Sequence, residues 1–189
     1  VEALRIQGVL TQEQIIEGLE NTNKLANMVE EFELSRSPKY PKLYENPLDE
    51  LKKRINKGVK EKKINKKANY KSEYLPRIYE ELETYIHNDA VDFLLLDSDI
   101  KDYARSNGVF CGYSRGSVSG SLIAYLIGMT DVDSVKFNMN FQRFMNKERI
   151  SLADVDSDWE PNQRDFIKKH IYEMQGVYCA DIITFNTIA

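Results

Sequence analysis

Cysteine, histidine and tryptophan are scarce in this chain of 189 residues, which holds two, two and one of them. Cys111 and Cys179 are too few for a disulfide framework. His87 and His170 lack the clustered spacing of a zinc site, and no histidine stands near Cys111 in sequence to activate it as a nucleophile. No apolar run approaches the roughly 18 residues that a membrane span needs, and no secretory signal opens the chain, so a reducing cytoplasm is the expected location. The chain starts at Val1 without a methionine and stops at TFNTIA inside an apolar stretch, as a piece of a longer protein would. Proline and glycine are modest at five and nine, and 42% of the residues are hydrophobic, enough for one domain or a domain with a helical appendage.

Charge is abundant but uneven. The net charge is -4, yet ten lysines and arginines fall between Lys52 and Lys71 against the single acid Glu61. This run is either a solvated helical surface or a contact for a phosphate backbone, and the sequence leaves both open.

Periodicity predicts helices in the first half. Thr11 with Gln14 forms a capping-box pattern ahead of a helix over about 12–31, and Leu51, Ile55 and Val59 recur at helical spacing in the next. The same spacing predicts a helix over 74–93 and a shorter one over 97–106, ended by Asn107-Gly108. After Gly108 the pattern changes to a short β-prone run at 109–111, a turn of small residues, and an apolar helix over about 118–127. At such a helix start, unpaired N–H groups suit an anion, with Arg115 adding charge and Ser117, Ser119 and Ser121 adding hydroxyls; a tight turn serving only helix packing is the equal alternative.

LADVDSDW, residues 152–159, carries Asp154, Asp156 and Asp158 on alternate positions. In a strand over 150–159 the three would share one face, about 6.6 Å apart in order from a rise of ~3.3 Å per residue. Carboxylates so close repel unless a cation lies among them, and oxygen ligands select Mg²⁺ or Mn²⁺. A calcium loop of the EF-hand kind would need glycine and glutamate where Trp159 and Asp165 stand.

The segments SRGSVSGSLIAYLIGMTDVD, FQRFMNKERISLADVDSDW, QRDFIKKHIYEMQG and DIITFNTIA occur in that order. A glycine-serine turn followed by an acidic strand resembles the nucleotidyltransferases related to the polymerase beta superfamily. More closely, the run from Gly112 to Ala189 resembles the palm of the bacterial C-family replicative DNA polymerases, the alpha subunit of DNA polymerase III, and weaker likeness extends upstream through YLPRIYEELETYIHNDAVDFLLLDSDIKDYARSNGV. Departures include Ser114 for a glycine, Lys147 and Ala153 for prolines, Trp159 for phenylalanine and Asn186 for a glycine.

The resemblance implies an α/β (α+β) fold, a mixed-sheet palm with a helical amino-terminal portion over 1–107 and a palm core over 108–189. It implies Asp156 and Asp158 as catalytic, metal-holding acids with Asp154 in support. Arg115, Gly116, Ser117 and Arg149 are the implied contacts to the nucleotide triphosphate. Two Mg²⁺ ions, with Mn²⁺ as a substitute, primer-template DNA, deoxynucleoside triphosphates and replisome subunits are the implied cofactors and partners. The implied reaction is DNA-directed DNA synthesis, with the isolated piece inactive for want of a third acid, thumb and fingers. A palm-like domain that binds DNA or protein without turnover is the alternative.

Overall fold

The computed structural model describes residues 2–31, 33, 40–148 and 154–181. Contacts divide the chain into two units, Val1–Ser37 and Pro38–Ala189. The first holds α1 (Glu2–Gln7) and α2 (Gln12–Asn27). The predicted capping box is present: Gln14 N donates to the Thr11 hydroxyl while Thr11 N donates to the Gln14 side chain at 2.9 Å. Of the apolar face read from the sequence, Ile15 is buried, whereas Ile16, Leu19 and Val29 are exposed.

The second unit is built from α3 (Pro47–Glu61), α4 (Leu75–His87), α5 (Val91–Ser106), α6 (Leu122–Leu126) and α7 (Arg164–Glu173). The stretch predicted as one helix over 74–93 is two: α4 stops at His87, Asp89 takes a left-handed φ of 51°, and α5 starts at Val91, ahead of the predicted 97. Likewise the apolar helix begins at Leu122, because Gly116–Gly120 forms a 3₁₀ turn and Ser121 is the cap whose hydroxyl accepts from Ala124 N.

The expected mixed-sheet palm is overturned, for no strand exists among the described residues. The alternation of acids does reflect extended backbone, but extension becomes a sheet only through successive paired residues. Here one antiparallel bridge forms, Cys111 with Trp159, flanked by Gly112 N donating to Asp158 O at 2.9 Å and Glu160 N to Phe110 O at 3.4 Å. Residues 150–153, the start of the predicted strand, lie outside the described residues.

The main core collects Leu51, Ile55 and Val59 of α3, Ile78 and Tyr85 of α4, Leu94 and Leu95 of α5 and most of α6, with Phe141 and Phe144. Tyr85 is fully enclosed and meets both phenylalanines edge-on, with centroids 5.5 and 6.4 Å away. Gly58 lets α3 cross α6 at close range, since a Cβ there would stand 2.0 Å from the Leu126 carbonyl oxygen. Polar ties lock the outside: the Arg54 guanidinium meets Asp99 at 2.7 Å and Ser98 Oγ at 2.9 Å, and Lys67 and Tyr74 both donate to Asp133, at 2.6 and 2.9 Å. These contacts fasten α3 to α5 and the segment after α6 to the turn before α4.

A smaller core joins Ala104, Val109 and Ile167, with Trp159 and Ile171 packed against it. Lys101 is buried beside it, with its Nζ 5.0 Å from the Trp159 ring centroid and 3.0 Å from Cys111 Sγ. One turn earlier on α5, Asp97 Oδ2 finds no hydrogen-bond partner among the described residues. Burial raises the Asp97 carboxyl to about 6, with Lys101 and Arg105 pulling the other way.

Two outcomes follow. Gly58→Ala should destabilise the unit by ~3 kcal/mol or more, because the added methyl meets backbone that cannot rotate aside; urea denaturation measures this. For Asp97 the folded pKa exceeds the unfolded value of 3.8, so ionisation costs more in the folded state. Stability should be highest while the carboxyl is neutral, fall by roughly 1–3 kcal/mol between about pH 4 and pH 6, and stay level above. The difference between wild type and Asp97→Asn across that window isolates this contribution from other titrating groups.

Candidate nucleotide and metal site

The turn after Cys111 reaches its shape through a carboxylate that the sequence does not advertise. Glu81, fully buried on α4, accepts from Leu122 N, Ile123 N and Ser121 Oγ at 2.8 Å each, and from Arg77 Nε at 2.7 Å. Arg77 also donates to the carbonyls of Gly120 at 2.8 Å and Met139 at 3.0 Å. Tyr85 and Ser121 hydroxyls lie 2.6 Å apart. Burial pushes the Glu81 carboxyl up, and the N–H groups of Ile123 and Leu122 oppose this together with Arg77 and Ser121. The donors expected to await an anion at the start of the apolar helix are therefore already taken: Glu81 holds two and the Ser121 hydroxyl holds Ala124 N at 2.9 Å. Earlier in the turn, Gly116 and Ser117 are both exposed.

Gly116 has φ +69°, which favours glycine, and a Cβ there would approach Asp156 Oδ2 to 3.4 Å. Gly112 lies similarly close to Asp158, whose Cβ would be 3.2 Å from an added methyl. The turn and the acidic segment are thus pressed together through the single bridge. Between them stands the positive group that the alternating acids require. Arg115 Nη1 donates to Asp158 Oδ1 at 2.7 Å, and Arg115 Nε lies 3.8 Å from Asp156 Oδ2. The Asp158 hydrogen bond and the charges of Asp158 and Asp156 hold the guanidinium pKa above its ordinary value. All three side chains are more than half exposed, so this ion cluster is open to exchange with solvent cations or a ligand.

Asp154 is exposed and has no ion pair among the described residues. Arg149 lies outside the described residues. No group of three or more histidine, cysteine or acidic side chains converges among the described residues. Two carboxylates that share one cationic partner nevertheless fit a hard divalent ion, which takes its remaining oxygens from water or phosphate. His170 has a packing role, its ring stacked 3.4 Å from that of Tyr103.

Beside the turn opens a cavity of about 590 Å³ lined by Gly116, Ser117, Ser119, Asn138, Asn140 and Arg143, among others. Arg143 and Asn140 were not singled out in the sequence. The FQRF spacing offers a hint for Arg143, since two buried aromatics, Phe141 and Phe144, bracket an exposed cation. Glu81 had a weaker signal, an arginine four residues earlier on a helix.

Glu81→Ala leaves Arg77 and two backbone donors without their acceptor. It should cost about 3–5 kcal/mol in urea denaturation, far more than an ordinary surface ion pair.

The chain matches the family described as bacterial DNA polymerase III alpha NTPase domain over residues 49–189. It is similar to the DNA polymerase III subunit alpha of Staphylococcus aureus strain COL, 37% identical over 145 residues that make up 76% of this chain and 14% of that protein. The Mu50 strain's subunit is 36% identical over the same length. That of Halalkalibacterium halodurans is 34% identical over 178 residues, 92% of this chain and 16% of that protein. The chain thus spans about one seventh of the length of these curated relatives, and it belongs to the bacterial DNA polymerase III alpha family.

Proposed function

We propose that this chain is the part of a DNA-directed DNA polymerase that receives the triphosphate of an incoming deoxynucleotide and holds the catalytic cations. The observation that supports the reading is Arg115 lying between Asp156 and Asp158 with Gly116 against Asp156, a guanidinium within 3.8 Å of two carboxylates beside an open glycine, the groups that a triphosphate and its cations would need. In the reaction the primer 3′-hydroxyl attacks the α-phosphate in line and pyrophosphate leaves. Two divalent cations, Mg²⁺ or Mn²⁺, supply neutralisation of the triphosphate and stabilisation of the attacking oxygen when bound.

The protein's own residues have separable tasks. Gly116 and Ser117 offer a close, unhindered approach to phosphate oxygens. Arg115 is tethered to the acids only at the surface, so it can turn to a phosphate and bind it with its planar fork. Arg143, across the cavity, adds positive charge to the triphosphate path, and Arg149 is assigned as a further nucleotide contact. Asp156 and Asp158 are the assigned cation ligands and Asp154 supports them. On this reading residues 108–189 carry the site, 1–107 are the helical amino-terminal portion of the chain, and the remaining machinery of the parent polymerase meets primer-template DNA and replisome subunits in the cytoplasm.

A second assignment of the same acids has an observation behind it. Asp158 is held by Arg115 at 2.7 Å against 3.8 Å for Asp156, and Asp154 is unpaired among the described residues. Under it, Asp154 and Asp156 take the cations while Asp158 keeps Arg115 in place.

Primer extension by the full-length parent separates these. Asp156→Asn should lower kcat on the order of 100-fold or more under either assignment. If Asp158→Asn is equally severe and Asp154→Asn mild, the first assignment stands; the reverse selects the second. An Asp156→Asn enzyme with unchanged rate would sink the metal assignment altogether. The 189-residue chain alone should extend no primer.

A further inference from the structure

The basic run from Lys52 to Lys71 takes no part in the site above. Some of its charge is internally spent: Lys53 pairs with Glu50 at 3.1 Å, Lys57 faces Glu61 at 3.9 Å, Arg54 is bound to Asp99, and Lys67 to Asp133. The adjoining strip of α3 differs. Lys52, Asn56 and Lys60 repeat at intervals of four, forming one exposed row about 12 Å long at 1.5 Å per residue. Neither lysine has an ion-pair or hydrogen-bond partner among the described residues, nor does the exposed Lys71 just past Tyr70.

Lys52 and Asn56 of this row line a groove of about 210 Å³ between α3 and α4. Its floor is Ile55, Val59 and Ile78, its rim includes Lys52 and the rings of Tyr70 and Tyr79, and no carboxylate lines it. Tyr79 is 64% exposed, an aromatic face left in water in the same groove as Lys52. The larger cleft on the opposite flank of α3 mixes Glu50, Glu61, Asp102 and Asp131 with its lysines and has no such bias.

We propose that the α3–α4 groove is a second nucleic-acid site that holds a single strand, separate from the Gly116 turn. Lysines present point charges suited to phosphates without demanding one geometry. An exposed tyrosine beside an apolar floor receives an unpaired base, whose ring face is available, whereas a duplex keeps its bases stacked on one another. Charge complementarity alone would also admit an acidic peptide; the ring and the apolar floor favour the base.

The test is fluorescence anisotropy of the 189-residue chain with a labelled 12-nucleotide thymidine strand, a 12-base-pair duplex and a poly-glutamate peptide as probes. The single strand should bind most tightly. Its log affinity should fall with log salt at a slope of about -2, the value for three lysines at ~0.7 each. Lys52→Ala combined with Lys60→Ala should weaken binding at least tenfold and flatten the slope to about -0.7. Tyr79→Ala should weaken it ~10-fold with the slope unchanged, as loss of one stacked base predicts. These side chains are exposed, and circular dichroism verifies that the variants fold. Duplex or poly-glutamate bound as tightly as the single strand, an unaltered affinity in Tyr79→Ala, or no binding at all would overturn the proposal. None of these outcomes touches the assignment of the acids, which is read from primer extension.

Discussion

One buried carboxylate organises this molecule. Glu81 terminates two backbone N–H groups of α6, receives the Ser121 hydroxyl, and is itself balanced by Arg77, whose other nitrogen reaches the Gly120 and Met139 carbonyls. A charge so buried is tolerable only because every donor around it is aimed at it. That requirement fixes α4, the start of α6 and the segment before Phe141 relative to one another. Gly120 shows how tight the arrangement is, since a Cβ there would stand 2.5 Å from the Asn140 carbonyl oxygen. The glycine-serine turn is therefore placed by what lies beneath it, and its outer edge at Gly116 and Ser117 is exposed.

The same economy of donors explains the site's electrostatics. Because α6 spends its first N–H groups inward, the positive character at the turn comes from a side chain, Arg115, and not from a helix terminus. Arg115 is then the natural counter-charge for the acidic segment, pairing with Asp158 and lying near Asp156 next to the bridge at Trp159. Beneath that segment Lys101 packs against Trp159 and Cys111, giving the lone bridge a buried cationic support.

Much of the helical half was legible because periodicity records burial directly. Leu51, Ile55 and Val59 at helical spacing had to meet a core, and Thr11 with Gln14 had a local geometry to satisfy whatever surrounded them. The break between α4 and α5 was not legible: 74–93 keeps its apolar spacing through the interruption, and the left-handed Asp89 leaves no signature beyond a residue type that tolerates it. The acidic strand failed for another reason. Alternation reports an extended chain, whereas a sheet is a property of partners, and among the described residues only Cys111 pairs with Trp159.

By itself, then, the sequence determined the local elements whose energetics are local, namely caps, apolar faces and the extended acids, and it carried the ordered motifs by which the family is known. Only the tertiary structure decided which donors were already spent, that Glu81 and Arg77 hold the turn, and that Arg115 is the cation among the aspartates. Those outcomes depend on groups 40 or so residues apart meeting in one place. No spacing along the chain encodes such a meeting, because desolvation and hydrogen-bond satisfaction are settled only when the helices pack.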